Sequence, residues 1–241
     1  MPFTFSHPAA VLPLRILPRH WFSFTGLIVG SVVPDFEYFL RMKVLSSFSH
    51  TIAGIFLFDL PIGVIIAFVF YNIAAPSLID NIPAFLSSRL SFLKNSEWNN
   101  YFKNNKLKVC LSIIIGAISH VAWDNFTHEH GHFASAIPLL SQEVNILGMH
   151  MAFYHVLQHL SMLAGAFIIG VYILLLPVDA NYQATPSVKY WGMVTLLFFL
   201  LIVVRIWFGL GSNWLNNLAV SSISAGMVAL VSTPIILYGK K

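Results

Sequence analysis

Long apolar stretches separated by short polar segments dominate the chain. Because a membrane-spanning helix needs about 20 predominantly apolar residues, we interpret five of these stretches as spans. They run from Thr51 to Ile73, Val109 to Trp123, His150 to Pro177, Tyr190 to Leu210 and Trp214 to Tyr238. The pattern therefore predicts an all-α, polytopic integral membrane helical bundle, and we expect a single transmembrane domain over residues 1–241.

The first apolar stretch, from His7 to Pro34, is interrupted by Pro13 and Pro18. Neither half reaches the length of a straight span, so we favour a short re-entrant helical hairpin, which would bring His7 and Asp35 to the same side of the membrane. A single kinked span is the alternative and would separate the two residues. The stretch lacks a basic start, so we expect no cleaved signal peptide.

Two polar segments between the spans differ in character. Residues 76–108 interleave basic residues with apolar and aromatic ones at spacings of three and four, which predicts an amphipathic helix on an anionic membrane surface. Residues 125–149 form a His-rich loop without a single Lys or Arg. Because cytoplasmic loops carry the excess of Lys and Arg, we place residues 76–108 in the cytoplasm and residues 125–149 outside.

Composition and charge agree with a membrane protein. Charged residues make up 9% of the chain, against about 25% in soluble proteins. The net charge of +4 lies mostly in short connections between spans, which is typical of membrane orientation, and we expect no nucleic-acid partner. The single Cys110 excludes an internal disulfide and a thiolate metal cluster.

The candidate chemistry is concentrated at the end of the second span. His120, Asp124 and His128 are four residues apart, so they would share one face of a helix. Two imidazoles and a carboxylate are typical ligands of a transition metal. Further His and Asp residues stand near the ends of other apolar segments, and alternating helix directions would gather these ends on the outer side. The complete set of candidate metal ligands is His7, Asp35, His50, His120, Asp124, His128, His155 and His159.

This ligand set predicts a divalent ion. Imidazole and carboxylate ligands without Cys suit zinc, which we expect first, with manganese or iron as alternatives. One tetrahedral ion would leave several candidates unused, so the number of ligands favours one or two ions, with Asp35 or Asp124 as the bridge of a pair. The alternative is that these side chains lie at the membrane interface or hydrogen-bond one another without a metal.

A metal site at membrane depth predicts a hydrolase that uses metal-activated water on a lipid-like ester or phosphoester. Asp124 and Glu37 are the candidate catalytic residues, with Glu37 accepting the proton. Membrane lipid and a lipid-like small molecule are the expected partners. The alternatives are a metal-ion or proton transporter and a non-catalytic membrane scaffold. A transporter predicts ionisable residues along several spans, whereas the stretch from Met162 to Leu176 contains none.

Several short motifs occur along the chain. They are Met1-Pro2-Phe3-Thr4-Phe5-Ser6-His7-Pro8-Ala9-Ala10, Gly30-Ser31 with Pro34-Asp35-Phe36-Glu37-Tyr38, Ser49-His50-Thr51 and His120-x2-Trp123-Asp124-x2-Thr127-His128. Together they resemble, over most of the chain, a bacterial multi-pass membrane family of unknown function, the DUF4184 family. The resemblance implies a multi-pass protein of the bacterial inner membrane and brings no established activity.

Two more distant resemblances concern the chemistry. The chain is similar to the membrane-bound metal-dependent hydrolases, whose motifs would match His7, Asp35, Glu37, His50, His120 and Asp124. The Gly-His-Arg-Gly segment of those hydrolases is absent here. Ser46-x3-His50, Asp124 and His155-x3-His159 are similar to the zinc set of the membrane ceramidase superfamily. That second resemblance implies a zinc amidase, although the seven spans usual in that superfamily are not predicted.

Overall fold

The computed structural model describes residues 4–18, 20–129, 131–146 and 148–239, so Met1 to Phe3 of the N-terminal motif and His130 lie outside it. The described chain is almost entirely helical. Its α-helices are Pro8–Val11 (α1), Phe24–Val32 (α2), Phe36–Arg41 (α3), Ile52–Gly54 (α4), Leu60–Val69 (α5), Ala75–Asn81 (α6), Ala84–Lys94 (α7), Trp98–Asn104 (α8), Lys106–Thr127 (α9), His132–Ala136 (α10), Pro138–Ser141 (α11), Phe153–Leu174 (α12), Val188–Trp207 (α13) and Trp214–Tyr238 (α14).

Shorter elements join these helices. The segments Thr4–Ser6, Leu12–Ile16 and Val33–Asp35 are 3₁₀-helical, and Ile55–Asp59 and Phe70–Ala74 are π-helical. Two strands, Glu143–Ile146 (β1) and Met149–Ala152 (β2), pair antiparallel. The turn between the strands uses Gly148 at a positive φ of 84°, and the Gly148 amide donates a hydrogen bond to the side chain of Asn145. The predicted His-rich loop therefore contains short regular elements.

Five helical stretches are long and apolar enough to cross a membrane. They are Ile52–Asn81, Lys106–Ala136, Phe153–Leu174, Val188–Trp207 and Trp214–Tyr238. The first of them joins α4, α5 and α6 through the two π-helical segments. The predicted all-α, polytopic membrane fold with five spans is confirmed.

The N-terminal region folds into short helices, none of which, within the described residues, is long enough to span a membrane. Pro8 starts α1, where its missing N–H costs nothing. Ser23 caps α2 by accepting a hydrogen bond from the Gly26 amide, and α1 packs against α2. A pair of short packed helices is the arrangement that the hairpin interpretation requires.

The chain divides into two compact units that alternate along the sequence. The first unit comprises Met1–Pro34, Ser49–Gly63 and Leu107–Val171. The second comprises Asp35–Phe48, Val64–Lys106 and Tyr172–Lys241. The single transmembrane domain over residues 1–241 stays a prediction.

Glycines bring α2 and α9 into backbone contact within the first unit. A Cβ atom at Gly30 would lie 2.1 Å from the carbonyl oxygen of Ile113, and one at Gly116 would lie 2.4 Å from that of Leu27. Small residues allow this close approach between membrane helices. The contact fixes α2 against the part of α9 that lies one turn before His120.

In the second unit, α14 packs against α13 and α3. The helix α3 ends at Met42, which has a left-handed backbone conformation. The Met42 carbonyl accepts hydrogen bonds from Ser221 at 3.1 Å and from the guanidinium of Arg205 at 3.2 Å. Arg205, an ionisable residue within a predicted span, is thus used to hold the end of a helix.

The basic segment 76–108 folds mainly as two helices, α7 and α8, because Pro83 starts the first and the chain turns after Lys94. The aromatic residues of α8 face the first span. Trp98 is 2% exposed and stacks on Tyr71 with ring centroids 4.9 Å apart. These aromatic side chains therefore attach α8 to the rest of the second unit.

Candidate metal centre

The carboxylate of Asp124, near the end of α9, lies among four imidazoles of the first unit. All four approach it at similar distances, which are longer than the usual 2.7–3.2 Å of a hydrogen bond. They are His120 Nε2 at 3.3 Å, His50 Nε2 at 3.5 Å, His128 Nδ1 at 3.5 Å and His7 Nε2 at 3.6 Å. All four imidazoles belong to the predicted ligand set, His7 on the condition that the N-terminal stretch forms a hairpin.

The local structure explains how each side chain arrives there. His120 and His128 lie one helical turn before and after Asp124, so α9 presents all three on one face. His50 directly precedes Thr51, which caps α4 by accepting a hydrogen bond from the Gly54 amide at 2.9 Å. His7 is the residue before Pro8 at the start of α1.

His120 is the most constrained of the four imidazoles. Its Nδ1 atom lies 2.7 Å from the backbone carbonyl oxygen of Ser31, and the residue is 1% exposed. A carbonyl only accepts hydrogen bonds, so Nδ1 carries a proton, and Nε2, on the side of Asp124, is the nitrogen left to bind a metal. The ring of His7 stacks on that of His120 with centroids 3.8 Å apart. This arrangement matches the way proteins orient a metal-binding imidazole.

His128 is held by a residue that the sequence analysis did not single out. The side-chain nitrogen of Gln158 lies 3.1 Å from His128 Nε2, and the side-chain oxygen of Gln158 lies 3.3 Å from His155 Nδ1. Gln158 on α12 is 4% exposed. A polar residue between two His residues in an apolar helix was the signal in the sequence that could have identified Gln158. It was not predicted because an amide is a poor metal ligand.

The donor set fits a divalent ion. Ligand atoms of His50, His120 and Asp124 all lie within 4.8 Å of one another. Around a tetrahedral zinc ion with bonds of about 2.0–2.2 Å, neighbouring ligand atoms stand roughly 3.4 Å apart. The observed separations of 3.3 and 3.5 Å agree with that value. Asp124 Oδ1 is buried and accepts no hydrogen bond from any residue that the structure describes.

Asp35 and Glu37 belong to the second unit. Asp35 ends the 3₁₀ segment before α3 and is 4% exposed, and its side chain makes no capping hydrogen bond to α3. The interpretation of Asp35 as a simple helix cap is therefore not supported, and its role as a ligand stays a prediction.

Both oxygens of Glu37 already have partners. Oε1 accepts from the Arg41 guanidinium at 2.9 Å and from the Ser47 hydroxyl at 3.0 Å. Oε2 accepts from the Ser46 hydroxyl and from the Phe48 amide, both at 3.1 Å. These contacts describe a side chain that organises the loop after α3. The predicted catalytic role of Glu37 stays a prediction.

His155 and His159, which were predicted together as ligands, lie in different environments. His155 reaches the edge of the site through Gln158. His159 is exposed on α12 and, among the described residues, takes no part in the grouping of ligand atoms.

The fold and this site define a class, a multi-pass membrane protein with a buried group of His and Asp side chains able to bind a metal ion. The chain belongs to the family described as "Domain of unknown function (DUF4184)", whose model matches residues 1–235. The resemblance to this family is thereby confirmed. No curated protein and no solved structure matches the chain.

Proposed function

We propose that this protein is a membrane-embedded, metal-dependent hydrolase that cleaves an ester or phosphoester bond of a lipid-like substrate. One observation carries the proposal: imidazoles surround the Asp124 carboxylate at 3.3–3.6 Å. These separations are long for hydrogen bonds and suit ligands that share a cation. Buried ionisable groups in a membrane protein are costly and are commonly functional.

His50, His120 and Asp124 are the three protein ligands in this proposal. Three protein ligands with a fourth position left for water are characteristic of catalytic zinc sites. When bound, a divalent ion supplies a Lewis acid that lowers the pKa of a water toward about 7 and polarises the bond to be cleaved. Zinc is our first expectation, with manganese or iron as alternatives.

The remaining side chains position these ligands and move protons. The Ser31 carbonyl fixes the ring of His120, and Gln158 holds His128 with its Nδ1 toward Asp124. Hydrolysis takes a proton from water and gives a proton to the departing oxygen. We assign this transfer to His7, whose Nε2 atom lies 3.6 Å from Asp124 Oδ1 and whose imidazole is the side chain that most often serves as a general acid and base.

We place the protein in the bacterial inner membrane, and the distribution of Lys and Arg supports an orientation with the site toward the outer side. The Lys-rich segment 76–108 would lie in the cytoplasm, and the His-rich segment 125–149 would lie outside.

The proposal is tested by metal content and hydrolysis together. The full-length protein is purified in detergent, and bound metal is measured by mass spectrometry. We expect about one or two ions per chain, a loss of metal in His120→Ala and no loss in His150→Ala, since His150 is exposed on β2. The wild type and both variants are then incubated with vesicles of bacterial lipids, and released head groups and fatty acids are measured.

Release that requires both the metal and His120 would support the hydrolase. Equal metal content in the wild type and His120→Ala would contradict the site. Bound metal without release of either product, combined with uptake of zinc into vesicles, would instead support a transporter.

A further inference from the structure

A groove opens beside His7 within the first unit. Its volume is about 250 Å³, and it lies between the N-terminal helix α1 and the spans that contain α9 and α12. Ala9 and Ala10 line it from α1, Trp123 from α9, and Ala164, Gly165 and Ile168 from α12. The groove exists because four of these positions have no side chain beyond Cβ.

The lining is mostly apolar. Ser161 contributes little polarity, because its hydroxyl donates a hydrogen bond to the Gln158 carbonyl of its own helix at 3.0 Å. Ser6 and His7 also line the groove, and His7 Nε2 lies 3.6 Å from Asp124 Oδ1. The groove is thus mostly apolar, and its polar residue His7 lies beside the candidate metal centre.

Two residues that line the groove are exposed on spans that lipid would surround. Trp123 is 44% exposed and Ile168 is 46% exposed, and both lie on helices long and apolar enough to cross a membrane. In a bilayer, side chains exposed on such helices meet acyl chains.

We propose that this groove binds one hydrocarbon chain of a membrane lipid and directs the polar end of that lipid toward the Asp124 site. The identity of this lipid as the substrate rests on the proposed hydrolase function, whereas the binding of its chain does not. A mostly apolar groove with a polar residue beside the site is complementary to an amphipathic molecule, with the tail along Ala10 and Ala164 and the head at His7.

The volume of the groove favours part of a single hydrocarbon chain over larger ligands. Pockets for drug-sized ligands are typically 300–1,000 Å³, so a space of about 250 Å³ holds only part of a lipid molecule. A helix from a second copy of the chain, about 10 Å across with its side chains, needs a wider groove. A single unbranched chain fits a narrow groove with small residues on α1 and α12.

The test uses labelled phosphatidylcholine and two matched variants. The full-length protein is placed in phosphatidylcholine vesicles that contain a phosphatidylcholine with a photoactivatable diazirine on its palmitoyl chain. After illumination, labelled peptides are identified by mass spectrometry. Ala164→Phe places a ring in the groove. Ala166→Phe introduces the same side chain two residues away on α12, at an exposed position outside the groove.

We expect label on the segment that contains Ala9 and Ala10 in the wild type. We expect this label to fall by about tenfold in Ala164→Phe, because the added ring occupies space that a chain would need, and to remain in Ala166→Phe. Ala10→Phe narrows the groove from α1 and should have the same effect as Ala164→Phe. Thermal unfolding and metal content identify a variant that has lost its fold.

Unchanged label in a folded Ala164→Phe or Ala10→Phe variant would overturn the proposal, as would the absence of label on α1 in the wild type. Label without bound metal would leave the groove supported and remove the support for the hydrolase. Bound metal without label on α1 would overturn the groove proposal and leave the metal site of the proposed hydrolase supported.

Discussion

Glu37 in the second unit is buried and Asp124 in the first is partly buried, and the partners of these two carboxylates differ. Glu37 accepts hydrogen bonds from Arg41, two serines and backbone amides at 2.9–3.2 Å. Asp124 is approached by four imidazoles at 3.3–3.6 Å. An acid that already has a permanent cation and a full set of donors has a structural task. The longer, imidazole-only surroundings of Asp124 leave room for an ion.

Asp80 in the second unit follows the pattern of Glu37. The Lys94 ammonium lies 2.6 Å from its carboxylate, and the Tyr182 hydroxyl donates a hydrogen bond to it. A carboxylate with close polar partners therefore does not by itself identify a functional site in this protein. The chemical type of its neighbours and their distances do.

The largest expected effect separates the two acids directly. Asp124→Asn should lower the affinity for zinc by about 100-fold or more, because it removes a charged ligand, and loss of an outer partner alone typically costs 10–100-fold. Glu37→Gln should bind zinc like the wild type but unfold at a lower temperature, because the loop after α3 loses the charge that pairs with Arg41. Zinc titration and thermal unfolding of the purified proteins measure both effects. Equal loss of zinc in the two variants would show that Glu37 belongs to the metal site.

A second comparison concerns the backbone contact beneath the site. Gly30→Ala should destabilise the protein by about 1–3 kcal/mol or more, the usual cost of overpacking, because its Cβ would lie 2.1 Å from the Ile113 carbonyl oxygen. Gly226→Ala on α14 of the second unit meets no atom within 4 Å and should be neutral or slightly stabilising. Thermal unfolding in detergent compares them. A Gly30→Ala variant as stable as the wild type would mean that α2 and α9 are less tightly packed.

A third prediction concerns Gln158, which touches two imidazoles. Gln158→Leu should lower zinc affinity by up to about tenfold, the low end of the cost of losing an outer partner, because Gln158 holds His128 beside the ligand Asp124. His155→Ala should have a smaller effect, because His155 reaches the site only through Gln158. The measurement is again a zinc titration. A loss in His155→Ala as large as that in Asp124→Asn would restore His155 as a direct ligand.

The smallest expected effect lies at Tyr182, in the loop between α12 and α13. Burial and the hydrogen bond to Asp80 raise the pKa of Tyr182 above its ordinary value. A raised pKa adds stability below the ordinary value of about 10, and this stability is lost as the pH rises beyond it. Tyr182→Phe should therefore cost about 1 kcal/mol at neutral pH, and the difference from the wild type should shrink above about pH 10.

Unfolding measured between pH 7 and 11 tests this prediction. A difference between Tyr182→Phe and the wild type that grows with pH would contradict the direction of the shift.

The sequence identified the centre of the site because its geometry is simple. His120, Asp124 and His128 follow helical spacing, and His50 stands where a span begins, so periodicity places them at one end. Gln158 and the Ser31 carbonyl were missed because their roles depend on three-dimensional packing. The Ser31 carbonyl meets His120 only because α2 and α9 touch at their glycines.

The sequence also does not distinguish a catalytic role of Glu37 from a structural one. A glutamate can accept a proton, and only the folded loop after α3 brings Ser46 and Ser47 into contact with it. His155 and His159 have ideal spacing, yet one faces Gln158 and the other is exposed. The spacing of residues shows which side chains share a face of a helix, but it does not show whether that face is buried or exposed.

The π-helical segment Ile55–Asp59 changes how side chains are distributed around the first span. Each π-type hydrogen bond reaches one residue further than its α-helical counterpart, so this stretch winds more slowly than the α-helical turns beside it. A helical wheel drawn from Thr51 with a constant angle of about 100° per residue therefore assigns Asp59 to the wrong sector. Asp59 is fully buried. The angular phase of this span has to be restarted at Leu60, and a lipid-facing sector deduced across the segment would be misplaced.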